Sequence, residues 1–185
     1  MSARAVFRAV VAIALSLATR ARAADANVYV SGPILLGADQ HVTVDSTTSF
    51  VIGFRPEAIV AFGSRSGRAL GIGAYGDATK AGGQSWLGGG VTAVGYNGAF
   101  GVALSGGVDE RFANGTSRLV PVVGAFLGLR LREDGLPLDL PFGARVDLRL
   151  GSSDVPTSIA FQLQLDILGA IGFFVNLAIH PSYGH

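Results

Sequence analysis

Arg145, Asp147 and Arg149 stand at alternate positions of the segment Phe142 to Leu150, with Ala144, Val146, Leu148 and Leu150 on the other parity. In an extended chain that spacing puts guanidinium and carboxylate groups on one face, where they pair as a salt-bridged row or line a path for ions and protons. The same chemistry recurs at Arg55 and Glu57, at Asp77, at Arg130 and Arg132, at Asp139, and at Gln162, Gln164 and Asp166. Among these residues the cations Arg55, Arg130, Arg132, Arg145 and Arg149 are matched in number by Glu57, Asp77, Asp139, Asp147 and Asp166. Balanced charge in a confined space predicts pairing, because an isolated buried charge costs many kcal/mol. No acid/base pair for catalysis separates itself from the ten.

Three smaller patterns invite chemistry and carry little of it. Gly71-Ile72-Gly73-Ala74-Tyr75-Gly76 matches the dinucleotide-binding spacing. That fingerprint works only where a strand turns into a helix whose N-terminus receives the pyrophosphate, whereas this stretch lies within an alternating strand. His41, His180 and His185 are too scattered to hold a metal, and cysteine is absent, so no metal or cofactor is expected. Asn114-Gly115-Thr116 has the form of a glycosylation sequon and reads here as a turn.

The elements that must position these side chains are strands. From Phe54 to Phe62 the apolar side is Phe54, Ala58, Val60 and Phe62, with Arg55 and Glu57 opposite; Phe161, Leu163 and Leu165 oppose Gln162, Gln164 and Asp166. Elsewhere glycine takes the polar parity: Leu119, Val123, Ala125, Leu127 and Leu129 face away from Gly124, Gly128, Arg130 and Arg132. Residues three or four apart do not match in polarity, which excludes helices. Nine strands are predicted, at 27–36, 49–65, 68–79, 85–97, 99–110, 117–132, 138–151, 157–168 and 170–180. Ser66-Gly67, Asn97-Gly98 and Gly169-Ala170 read as tight turns, and 38–48, 80–84, 111–116 and 152–156 as longer polar loops, alternating with them. Trp86, Tyr96, Tyr29 and Tyr183 are candidates for aromatic girdles at a membrane interface or for ordinary packing.

Ahead of the strands, Arg4 and Arg8 precede the apolar run Ala9 to Ala18 and then Ala21-Arg22-Ala23, the form of a cleavable export signal. The expected division is a leader at 1–23 and one barrel at 24–185. Four of the fourteen basic residues fall in the leader, leaving ten against thirteen acidic, a net of −3 for the rest. Nucleic acid is therefore not an expected partner. The 27 glycines and 49% apolar residues are an odd mixture for a soluble globule. Both suit a small barrel whose outside faces hydrocarbon and whose narrow inside favours small residues.

Signal, alternating strands and links together resemble the small outer-membrane β-barrel proteins of Gram-negative bacteria. The resemblance implies an all-β, antiparallel up-and-down transmembrane barrel of eight strands, or ten, since bacterial single-chain barrels carry even numbers. It implies the bacterial outer membrane as location, membrane lipid as the main neighbour, and a monomer with a side-chain-filled polar lumen. The role expected is structural or surface-interaction, without catalysis. Such proteins commonly end on an aromatic residue, whereas this chain closes Pro181-Ser182-Tyr183-Gly184-His185.

Three other functions stand beside that reading. One is a narrow channel for small solutes; another is a periplasmic or secreted soluble barrel with its apolar face turned inward around a small apolar ligand. The third rests on His180-Pro181-Ser182, whose His-x-Ser spacing resembles that of outer-membrane lipid A deacylases, eight-stranded barrels that use a His, a Ser and a supporting Glu. Here no acidic residue follows Ser182, so the imidazole would need a distant partner such as Asp166 or Glu57.

Overall fold

Strands with one polar and one apolar face satisfy their backbone groups only by pairing, and a closed sheet leaves no unpaired edge. The computed structural model describes residues 26–42, 47–63, 68–132, 139–152, 155–166 and 170. They form ten strand segments: β1 (Ala26–Ser31), β2 (Ile34–His41), β3 (Thr48–Phe54), β4 (Glu57–Gly63), β5 (Arg68–Ala81), β6 (Gln84–Asn97), β7 (Phe100–Ala113), β8 (Thr116–Arg132), β9 (Asp139–Arg149) and β10 (Ser158–Leu165). Every pairing is antiparallel, and the ring β2-β3-β5-β6-β7-β8-β9-β10 closes on itself through β10 and β2. This is an all-β, eight-stranded, up-and-down barrel with two additional segments, β1 and β4.

Those two segments continue ribbons already in the ring. The β1–β4 register runs from Ala26↔Phe62 to Ser31↔Glu57, and the β2–β3 register resumes at Ile34↔Phe54 with no slip. The breaks fall at Pro33 and Pro56, which have no amide hydrogen to give to a ladder. Their carbonyls still accept, from the Arg55 amide at 3.0 Å and the Gly76 amide at 2.9 Å. Eight ribbons thus account for the ten segments, and the choice between eight and ten strands resolves to eight.

The links differ from the expected alternation of short and long. Residues 80–84 and 111–116, read as loops, are almost wholly strand, turned by Gly82-Gly83 and by Asn114-Gly115. Asn114 and Gly115 both have positive φ, 51° and 75°, as a type I′ hairpin turn requires. The 152–156 loop is pinched by a bridge between Ser152 and Val155, and 38–48 shrinks because β2 runs on to His41. The tight turn expected at Asn97-Gly98 forms at Gly98-Ala99, between the paired Asn97 and Phe100. Three expectations lie outside the described residues: the 1–23 leader, the Ser66-Gly67 turn, and the 170–180 strand apart from Ala170. Ala170 itself is helical, its amide bonded to the Asp166 carbonyl at 3.1 Å, and Gly169 of the expected Gly169-Ala170 turn lies outside the described residues.

Parity is obeyed around most of the ring, with Val60 and Ala74 buried despite their outward parity. Phe50, Ile52, Leu70, Ile72, Val91, Val102, Leu104, Leu127 and Phe161 are exposed on the outside, while Arg55, Glu57, Arg145, Asp147, Arg149 and Gln164 are buried inside. Of the outward phenylalanines, Phe62, Phe100 and Phe142 lie at the end that carries the Gly98 turn, here the lower rim, Phe50 and Phe112 at the upper, and Phe54 and Phe161 between. Trp86, Tyr96 and Tyr29 were girdle candidates and are buried in the interior, at 2%, 4% and 0% exposure.

Candidate functional site: the ion-paired lumen

Side chains fill the barrel in layers. Near the lower rim Tyr29, Ile59, Ala61, Ala69, Val94, Tyr96, Ala103 and Phe126 form one apolar cluster. Near the upper rim Trp86 and Val120 pack with Val155, which the Ser152–Val155 bridge folds inward from the link. Between the two clusters lie the charges.

Two networks and one bidentate pair hold them. Arg55 and Glu57 flank Pro56 on the inner face, and the Arg55 guanidinium donates to Glu57 at 3.1 Å and to Asp77 at 3.2 Å. Across the lumen, Arg130 from β8 donates to the other Glu57 oxygen at 2.8 Å, so the network as a whole ties three ribbons together. Arg145 clasps Asp147 through two nitrogens, at 2.6 and 2.9 Å, and also donates to the Ser105 hydroxyl at 2.7 Å. Such bidentate charge-assisted bonds are the strong kind. Nearer the upper rim Arg149 joins Asp109 at 3.0 Å and Asp39 at 3.6 Å, and Asp39 also meets His41 at 3.8 Å.

Aromatic rings back these cations, as their electron-rich faces favour. The Arg55 guanidinium lies 3.3 Å from the Tyr75 ring centre, and Arg149 lies 4.7 Å from that of Trp86. Glycine on neighbouring strands makes the room. A Cβ at Gly101 would stand 2.7 Å from the Arg130 side chain, and one at Gly107 would stand 2.7 Å from the Tyr75 hydroxyl. Gly107→Val is therefore expected to cost about 1–3 kcal/mol by overpacking, read as a lower urea midpoint for the refolded barrel. An unchanged midpoint would mean that Tyr75 does not occupy that space.

Of the polar residues expected to share the lumen, Arg55, Glu57, Asp77, Arg130, Arg145, Asp147, Arg149, Gln162, Gln164 and Asp166 are all buried there. Arg132 and Asp139 face each other in register at the end of the β8–β9 ladder, and their side chains lie outside the described residues. Asp166 is spent on the fold, accepting from the Gly32 amide at 2.9 Å. Sequence reasoning missed Asp39 and Asp109, both 1% exposed. Asp39 was assigned to a loop, whereas Asp109 has the odd parity of Gly101, Ala103 and Ser105 and was findable. The expected balance of charge shifts with them: among the described residues four buried arginines face six buried carboxylates.

The carboxamides of Gln162 and Gln164 are buried with no hydrogen-bond partner among the described residues. They stack on one face of β10, beside the inward glycines Gly37 and Gly143 of the flanking strands. Among the described residues no cluster of three or more His, Asp or Glu side chains is arranged for a metal. Gly71 and Gly73 lie mid-strand in β5, with no helix after them to receive a phosphate. His180, Ser182, Tyr183 and His185 lie outside the described residues. No protein family, curated protein or solved structure matches this chain, and what it shares with small outer-membrane-type barrels is architecture.

Proposed function

We propose that this protein is an outer-membrane β-barrel, exported by the 1–23 leader, monomeric, and closed by its own side chains, with a structural or surface-interaction role and no catalytic step. One observation carries the reading. Along β5 the residues of outward parity are Arg68, Leu70, Ile72, Ala74, Gly76, Ala78 and Lys80, exposed at 68, 70, 72, 78 and 80 and covered at Ala74 and Gly76, so two cations bracket an apolar stretch. Their separation in sequence corresponds to about 40 Å of strand, or about 30 Å along the normal at a tilt near 40°. That is the thickness of a bilayer's hydrocarbon core. Phenylalanines near both rims and the many large apolar side chains exposed around the ring agree with it; in water so much exposed apolar surface would drive association. The soluble ligand carrier has no such support, since it needs the apolar face inside and the interior here is charged.

A second reading, a narrow channel, draws on the unpartnered amides of Gln162 and Gln164 and the surplus of lumenal carboxylates. Against it stand the apolar clusters toward both rims and the filled interior typical of eight strands. The two readings part in a planar bilayer. Protein that floats with liposomes yet gives no ion-conducting steps fits the closed barrel, and reproducible open-channel steps would establish the channel in its place.

A further inference from the structure

Near the lower rim the outer surface carries a furrow of about 980 Å³ lined by residues of β4, β5, β6 and β7. Its floor follows β6. Gly95 faces outward there, between Leu70 of β5 and Val102 of β7, its partners in register on either side. A Cβ at Gly95 would lie 3.4 Å from Val102 and 3.9 Å from Leu70, so the slot is one side chain wide and walled by two exposed aliphatic groups. Going toward the middle of the barrel, the next outward residue on β6 is Ala93, between Ile72 and Leu104, and then Val91 closes the slot.

The other end of the slot is polar. Arg68 and Asn97 are direct register partners, both exposed and both outward, beside Phe100. Directly opposed side chains on paired strands stand about 5 Å apart, so a guanidinium and a carboxamide stand side by side at the end of the apolar slot. Arg68 makes no ion pair with any described residue, unlike the lumenal arginines, each of which has a carboxylate. From Asn97 to Ala93 the slot runs about 13 Å at the usual strand rise. A cation and a donor at headgroup depth, over a narrow apolar trough, match a molecule with a phosphate at one end and a hydrocarbon tail at the other.

We propose that this furrow binds one phospholipid, with its phosphodiester against Arg68 and Asn97 and one acyl chain along Gly95 and Ala93. The site rests on the membrane reading, and goes beyond it by distinguishing one seated lipid from the exchanging lipids around the rest of the barrel. Guanidinium favours phosphate because its planar fork donates two hydrogen bonds to an anionic acceptor. Lys80, at the other end of the same strand face, serves as the control: it is a cation at the opposite rim without the glycine slot.

The test is native mass spectrometry of the full chain refolded into vesicles of phosphatidylethanolamine and phosphatidylglycerol, then moved into lipid-free detergent. Heat-modifiable gel migration verifies the fold of each variant. Wild type and Lys80→Gln are expected to retain one phosphatidylglycerol per chain; Arg68→Gln is expected to weaken retention about tenfold, the scale of a charge-assisted bond, and Gly95→Leu to abolish it by filling the slot. Equal retention in all four proteins, or none in wild type, would overturn the lipid site. So would a spectrum dominated by two chains, since the furrow would then belong to a homodimer face. A chain that enters vesicles and holds no lipid sinks this site alone, whereas a chain that folds only in aqueous buffer sinks the membrane reading itself.

Discussion

Val91→Arg is expected to lower the unfolding free energy by roughly 2–4 kcal/mol in a lipid bilayer, and Ser85→Arg, on the same face of the same strand, by roughly 0–1 kcal/mol. Val91 is 57% exposed on the outer surface. Its register partner Ala74 sits midway between the outward cations Arg68 and Lys80, which places Val91 close to the midplane of a bilayer spanning them. Ser85 pairs with Lys80 itself, at the depth where headgroups and water begin. The penalty arises because hydrocarbon offers a guanidinium no hydrogen bonds, and the side chain must reach for the interface. In water an arginine at an exposed valine changes stability by no more than about 0.5 kcal/mol. Urea titration of both variants refolded in vesicles reads the difference, and equal midpoints would contradict the assignment of the outer face to lipid.

Glu57→Leu is expected to cost about 3–5 kcal/mol, the penalty for removing one member of a buried ionic network. Its two oxygens receive bonds from Arg55 and Arg130 at 3.1 and 2.8 Å, so the substitution strips one carboxylate from two guanidinium groups at once. Arg55 keeps Asp77, which holds the loss below that of a lone charge. Replacing Arg145 and Asp147 together by leucine is expected to cost far less, because each is the other's main partner and no orphaned charge remains. Equilibrium unfolding of the three proteins checks the ordering. A mild Glu57→Leu beside a severe double variant would mean that the lumen does not hold its charges by pairing.

How much of this was readable in the chain follows from what parity encodes. Charges on alternate positions of Phe142 to Leu150 specify which face is polar, and burial of Arg145, Asp147 and Arg149 with exposure of Phe142, Val146 and Leu150 agrees. Parity does not encode strand ends. Gly37-Ala38-Asp39 has turn composition, yet it belongs to β2, because its ladder partners Phe161 and Gln162 on β10 lie far away in sequence. Asp39 was lost from the lumen for that reason. Turn composition misled likewise at 80–84 and 111–116, where polar residues continue the ladder to its last pair, Ala81↔Gln84 and Ala113↔Thr116.

Aromatic residues were ambiguous because a ring suits an interface and a barrel interior equally well. What decided Trp86 and Tyr96 was their even parity on β6, shared with the inward Thr92 and Val94. That strand has glycine at Gly88, Gly89, Gly90 and Gly95, on both faces, so the alternation that reads clearly in β9 was diluted. The pairs Arg55–Glu57 and Arg145–Asp147, each two residues apart, were legible as same-face neighbours; the partnerships across the lumen were not. Glu57 and Arg130 come from ribbons on different sides of the ring and meet only when it closes.

The central claim is that hydrocarbon is the neighbour of the exposed apolar face, and the most direct measurement is fractionation of cells that express the full chain. The account predicts recovery with outer membranes, release only by detergent, and a folded band that migrates differently on a gel before and after boiling. Recovery of the folded protein in the soluble fraction, without detergent, would contradict it.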